Sequence, residues 1–305
     1  MAITSNTLSF ALDEVVSAVA FESFYEQAFM MPMLYSVRPS GRRRERSASF
    51  GGLGDFETKN PGAGVTETSL AQQFEKDFVH VSYALAVSIE RELLDDEEYG
   101  FAVEIGRQIG IKGAYKMETL AAALFNDAFA GATYLTEGGL SICNTAHLNV
   151  DSGNSQSNRG TTALSMSSVK STRTAMRNFK NYRGDLLDVM PDALLIPHDL
   201  EEDAWEIVRS TGRPDDATNA ANFYNGMFKL FVWPFLSTGI SGGDANNWFM
   251  LDTRILKENL LWYQRVPLEV YGNGDLFTGT RKIGGYFRAS HGLRDWRGLY
   301  GHIVS

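Results

Sequence analysis

Asp95 to Ala130 reads DDEEYGFAVEIGRQIGIKGAYKMETLAAALFNDAFA, and this stretch decides the fold. It opens on four carboxylates, Asp95-Asp96-Glu97-Glu98, which suit the positive end of a helix dipole. Phe101, Ile105, Ile109, Met117, Leu120, Leu124 and Ala128 then recur at steps of three, four or eight, an apolar stripe on one helical face. Good helix formers fill Met117 to Phe125, and Gly131 supplies a stop. A continuous helix of roughly 35 residues is about 50 Å long, about three times the usual globular helix. Gly106, Gly110 and Gly113 fall at i, i+4 and i+7 on one face, each costing about 1 kcal/mol relative to Ala. They mark either a kink near Gly110 to Gly113 or a smooth face against which another backbone lies close.

Working outward, residues 7–29 predict a first helix, with Leu8, Leu12, Val15, Val16 and Val19 on one face and Pro32 as its limit. Such a helix packs on its own domain or reaches a neighbouring copy. Arg42, Arg43, Arg44 and Arg46 follow as a basic cluster. Its plain reading is a solvated turn, or ion pairs with acidic neighbours such as those around Asp95; its other reading is a nucleic-acid contact. Residues 47–87 predict one long hairpin. Its tip, Asp55 to Ser69, holds Asn60-Pro61-Gly62-Ala63-Gly64, and its returning side alternates Val79, Val81, Tyr83, Leu85 and Val87 with His80, Ser82, Ala84 and Ala86. An arm that long invites a partner, because a lone hairpin is marginal in water.

Beyond the long helix, Thr133 to Thr161 predicts a polar loop with short strands. Ser165 caps a helix to about Lys180, Ala193 to Ile196 is a short strand halted by Pro197, and His198-Asp199 opens a helix through Arg209. Strands are expected at Met227–Trp233, Trp248–Leu251, Leu260–Tyr263, Leu268–Tyr271, Arg281–Arg288 and Leu299–Val304.

With 305 residues, 44% hydrophobic and 21% charged, the chain is long enough for a sizeable core and ordinary for a soluble protein. No apolar run approaches the length of a membrane span, and Met1 to Phe10 shows no secretory signal. A formal net charge of −9 argues against the whole molecule clasping nucleic acid. Cys143 is the only cysteine, so no internal disulfide forms.

The chemical inventory is nearly empty. His80, His147, His198, His291 and His302 show no metal-ligand spacing, and His147 near Cys143 is one pair, short of four ligands. Gly52-Leu53-Gly54 and Gly272-Asn273-Gly274 lack the third glycine of a dinucleotide fingerprint. Asp215-Asp216 reads as a solvated pair in a loop. Gly239-Ile240-Ser241-Gly242-Gly243 fits the G-x-S-x-G nucleophile pattern, which needs a strand before it and a helix after it. Here a strand-like run follows, so a glycine-rich connection is the plain reading. A serine hydrolase using Ser241, with His291 or His302 as base, is the enzymatic alternative.

Several local patterns carry a resemblance. Phe50-Gly51-Gly52-Leu53-Gly54 enters the extended loop, Ser88-Ile89-Glu90-Arg91-Glu92-Leu93-Leu94-Asp95-Asp96 precedes the long helix, and Asn144-Thr145-Ala146-His147 follows it. Leu194-Leu195-Ile196-Pro197, Trp248-Phe249-Met250-Leu251 and Asp295-Trp296-Arg297-Gly298 come later. In this order, over nearly the whole chain, they resemble the major capsid protein of tailed bacteriophages, nearest to the Mu-like major head subunit group.

The resemblance implies an α+β, HK97-like capsid fold. It divides into an N-terminal arm at 1–45, an extended loop hairpin at 46–87, a peripheral domain with its spine helix at 88–187, an axial domain at 188–272, and C-terminal strands at 273–305 returning to the peripheral domain. It implies a non-enzymatic protein, with no catalytic, cofactor or metal site, that self-assembles as hexamers and pentamers of an icosahedral shell around double-stranded DNA. The shell is a virion capsid assembled in the bacterial host cytoplasm, without a membrane, alongside a portal and possible decoration proteins. A non-viral nanocompartment of the same fold is the near alternative. The arm begins within ten residues of Met1, so scaffolding is expected from a separate protein. Some family members cross-link a loop lysine to a C-terminal asparagine; Lys59 lies near the tip, but no asparagine follows Asn273, so that cross-link is not expected.

Overall fold

The computed structural model describes residues 5–50, 56–62, 64–65, 67, 72–90, 100–148, 155–213, 220–274 and 280–304. The long helix runs unbroken over Gly100–Asn126, 27 residues, about 40 Å at 1.5 Å per residue. The acidic run Asp95 to Glu98 lies outside the described residues. No kink interrupts the three glycines. Instead the N-terminal helix, Ser5–Tyr25, lies on them: a Cβ at Gly106 would meet the Val16 carbonyl oxygen at 2.7 Å, and one at Gly110 would run into the Ala20 carbonyl. Gly113 faces the side chains of Leu268 and Phe24. The glycine face is therefore a seat for a second backbone, and the N-terminal helix packs on its own chain. Pro32 falls in the first turn of a short second helix, Met31–Leu34, where its missing N–H costs nothing.

Four strands follow on the N-terminal side: β1 (Ser36–Pro39), β2 (Arg44–Phe50), β3 (Gln72–Val79) and β4 (Val81–Ile89). The long hairpin expected over 47–87 is corrected here. β2 pairs antiparallel with β3 from Arg44↔Val79 to Phe50↔Gln72, but His80 breaks the returning strand, and β4 leaves the ribbon to pair elsewhere. The alternation of residues 79–87 was a true strand signal. Period two marks a strand without naming its partner.

Beyond the long helix come β5 (His147–Leu148), β6 (Ser155–Gln156), β7 (Arg159–Gly160), β8 (Ala193–Ile196), β9 (Lys229–Val232) and β10 (Trp248–Leu251). The chain closes with β11 (Leu260–Gly274), β12 (Arg281–Leu293) and β13 (Leu299–His302). The two strands expected at 260–263 and 268–271 are one, with register shifts between Gln264 and Glu269. Pro267 falls in this irregular stretch, where a missing N–H is tolerated. A helix at Thr253–Asn259 was not anticipated; the Asp252 carboxylate caps it by accepting from the N–H groups of Arg254 and Ile255. The helix at Met166–Arg177 starts on a reciprocal capping box between Ser165 and Ser168.

Two sheets organise the molecule. One has four strands in the order β1-β11-β12-β4; the other has five in the order β7-β13-β10-β8-β9. The last strand, β13, thus joins the sheet built from residues 193–251. β8 and β10 are buried along their whole length, which explains their unbroken apolar runs. The C-terminal half of the long helix, with Met117, Leu124 and Phe125, enters the main core, whereas Ile105 and Ile109 form a smaller cluster with Val16, Ile89 and Ile283. Each such side chain contributes about 1.5–3 kcal/mol on burial.

Candidate functional site

Among the described residues, the β2–β3 ribbon is a two-stranded sheet of its own, apart from the two larger sheets. Arg44 and Arg46 share a ribbon face with Asp77. Arg46 Nε donates to Asp77 Oδ1 at 2.9 Å, Arg44 Nη1 lies 3.2 Å from Asp77 Oδ2, and Arg46 Nη1 lies 3.2 Å from Glu75. Two of the four arginines of the basic cluster, Arg44 and Arg46, therefore pair across their own ribbon. The hydrogen bond from Arg46 holds the Asp77 carboxyl below the usual carboxylate range. These exposed charges fix register more than they stabilise the subunit. Past the ribbon, Phe56 and Val65 stand in solvent. Gly51 to Gly54 lie outside the described residues.

The other ribbon face is anchored. Phe78 is buried and meets Tyr263 edge-on at 5.2 Å between ring centroids, above Gly292, where a Cβ would reach the Phe78 ring at 2.9 Å. Lys76 Nζ donates to the Leu135 carbonyl at 2.6 Å, beside a polar cleft of about 290 Å³ between the ribbon and residues 135–139. At the foot, His80 joins three segments. The Ser40 hydroxyl donates to Glu45 at 2.8 Å and lies 3.0 Å from His80 Nε2, while Ser290 Oγ lies 2.9 Å from His80 Nδ1. Since the one Ser40 proton goes to Glu45, Nε2 carries the imidazole proton and Ser290 donates to Nδ1. Burial, then the nearby Arg288, lowers the His80 pKa.

A second joint lies under the long helix. Glu118, buried, accepts from the Met31 N–H at 3.0 Å and from the Trp233 indole N–H at 2.8 Å. It ties the N-terminal segment, the long helix and the end of β9 together. Burial raises its pKa, against the opposing effect of those hydrogen bonds.

The remaining motif residues are packing hubs. Asn158 is fully buried and satisfied on both ends: its oxygen accepts from the Asn144 N–H and His147 Nε2, and its amide donates to the Ile142 and Leu299 carbonyls. His147 stacks on Trp296 at 4.3 Å, so the patterns at 144–147 and 295–298 meet. His302 stacks on Trp248 at 4.1 Å, with Thr172 on Nε2 at 2.7 Å and Thr162 on Nδ1 at 3.1 Å. Burial lowers the pKa of both imidazoles to about 4. Cys143 is buried and its thiol is pushed well up by desolvation.

The enzymatic alternative loses its base. His291 bonds to the Tyr134 hydroxyl at 2.6 Å, and His302 is held by its two threonines. Ser241 is exposed in a turn with Gly242 at a φ of 80°, and the chain runs on into β10, with no helix following. Gly272-Asn273-Gly274 ends strand β11, which is no setting for a pyrophosphate turn. Asp215-Asp216 lies outside the described residues. No group of three or more His, Cys, Asp or Glu placed to hold a metal occurs among the described residues, and no described helix is long and apolar enough to cross a membrane. Glu118 and the His80 network were invisible in the sequence, because a polar residue on an apolar face does not announce its donors.

Residues 74–301 match the model of a family described as phage capsid protein. Among solved structures, the capsid of the cyanophage P-SCSP1u superposes with a TM-score of 0.62 at 13% identity, covering 92% of this chain and 89% of that one. A chain from Microbacterium phage Oxtober96 gives 0.56 at 9% identity over 92% and 94% of the two chains. The procapsid of bacteriophage JBD30 gives 0.55 at 12% identity over 99% and 77%. At these identities the likeness is one of fold. No curated protein matches the chain.

Proposed function

The chain belongs to the phage capsid protein family, as a major capsid protein of HK97-like fold whose copies build an icosahedral shell, and from that premise we propose how the shell is completed. Each copy extends its β2–β3 ribbon and the segment beyond it over an adjacent copy, within hexamers and pentamers that enclose double-stranded DNA. The observation that carries this reading is the ribbon itself: paired, anchored at its foot through Phe78 and His80, and ending in the exposed Phe56 and Val65. A two-stranded ribbon is marginal alone, and wrapping arms give interfaces above about 2,000 Å².

Within this reading, 1–45 is the arm, the extended loop expected over 46–87 ends at Val79 because β4 pairs with β12, 88–187 is the peripheral domain, 188–272 the axial domain, and of the strands in 273–305 β12 returns to β4 while β13 joins β10. The chain is a Mu-like head subunit, assembled in the host cytoplasm with scaffolding, a portal and optional decoration proteins. Its net charge of −9 suits an inner wall that does not adhere to packaged DNA. Removing Thr58 to Val65 tests the proposal. The expected result is a subunit that melts like the full chain and no longer closes into shells; normal particles from that deletion overturn it.

A further inference from the structure

The four-stranded sheet is covered by the long helix on one face, and on the other only the foot of the ribbon covers it, at Tyr263, Ser290 and Gly292. Ile283, Gly285 and Phe287 of β12 point toward the long helix, where a Cβ at Gly285 would meet Ile109 and Phe287 stacks on Tyr83. The alternate residues Lys282, Tyr286, Arg288 and Ser290 therefore face away from it. On that outer face Arg288 is only partly exposed, and its Nε is shielded from solvent without a hydrogen-bond partner. No carboxylate among the described residues pairs with its guanidinium. Its surroundings add positive charge: Arg265 and Arg288 both bear on His80, and Arg265 donates to the Ser40 carbonyl at 3.3 Å. Glu45, the acid of this corner, already accepts from Ser40. Glu269, opposite Tyr286 on the same face, is exposed and forms no ion pair with Arg288.

A guanidinium shielded in part and left without an anion is an incomplete arrangement. We propose that Arg288 is completed by a carboxylate from a second copy of this chain, docked on the outer face of the four-stranded sheet. The inference rests on the reading of the chain as a shell subunit. Charge complementarity favours this occupant: 37 acidic residues against 28 basic ones leave carboxylates to offer, and Glu201, Glu202, Asp203 and Glu206 stand exposed on the helix Glu201–Arg209. Beside Arg288 the edge strand β4 exposes the small side chains of Ser82, Ala84 and Ala86. A carboxylate meets a guanidinium fork in two parallel bonds. A DNA phosphate shares the oxyanion chemistry, but the acidic chain repels a duplex.

The test uses assembled shells of Arg288→Lys made from mixed 15N-labelled and unlabelled chains, treated with a carbodiimide and mapped by mass spectrometry. Position 288 is expected to link to an Asp or Glu in isotopically mixed pairs. In parallel, Arg288→Ala is expected to lower shell yield about tenfold, while the unassembled subunit melts as before. Links confined to single chains, or wild-type shell yield from Arg288→Ala, overturn the proposal. So does an Arg288→Ala effect seen only in DNA retention, which would place the phosphate there. Absence of shells from the unaltered chain would instead count against the capsid reading.

Discussion

Gly110 of the long helix lies against the carbonyl oxygen of Ala20 in the N-terminal helix, with no room between them for a Cβ. The helix-propensity cost of three glycines, about 1 kcal/mol each, is offset by the close approach of two backbones and the burial of Val16 and Ala20.

That relationship separates two substitutions that look alike in sequence. Gly110→Ala is expected to destabilise the unassembled subunit by about 3 kcal/mol, because the backbone it meets cannot give way. Gly113→Ala meets the Leu268 side chain at 3.2 Å, which has to shift by only a few tenths of an ångström rather than displace a backbone. The gain in propensity then leaves it within about 1 kcal/mol of the parent. Urea denaturation of both variants checks the difference.

Glu118 makes a second prediction. Glu118→Ala strands the Trp233 indole N–H and the Met31 amide in the interior, at about 1–3 kcal/mol for each unsatisfied donor. Trp233 fluorescence should shift red in the variant as its environment loosens.

Stability should fall on acidification. His147 and His302 have folded pKa values of about 4, below the unfolded value of about 6.5. The folded state thus binds fewer protons. The contribution is fully present above pH 6.5 and is lost as pH falls toward 4, up to about 3 kcal/mol for each imidazole. Glu118, whose pKa is raised, acts in the opposite direction near its own titration. Denaturation midpoints measured between pH 7 and 4.5 should fall steadily, and His302→Phe, which keeps a ring on Trp248, should flatten the slope.

Local periodicity made the long helix, β8, β10 and the capped helix after Ser165 legible in the sequence, because each is specified by its own stripe, run or cap. The glycine triad posed a choice that only the position of Ala20 resolves. β4 was visible as a strand but assigned to the wrong partner, since β12 lies far along the chain and alternation carries no address. β11 looked like two strands because its bulged middle, through Pro267, interrupts the pattern. The Thr253–Asn259 helix had a readable cap in Asp252, but its seven residues are too few for periodicity. Of the surfaces proposed for assembly, the β2–β3 ribbon was legible only in part, from its turn residues, since β4 does not belong to it. The His80 network and the setting of Arg288 were not legible, because both depend on residues brought together across more than 200 positions.

The most direct test of self-assembly is electron microscopy of the purified full-length chain, with sedimentation velocity across a range of concentrations. Closed polyhedral shells, with a sedimenting species far larger than one chain, are the expected result. A compact single molecule at every concentration, its ribbon folded onto its own body, would contradict it.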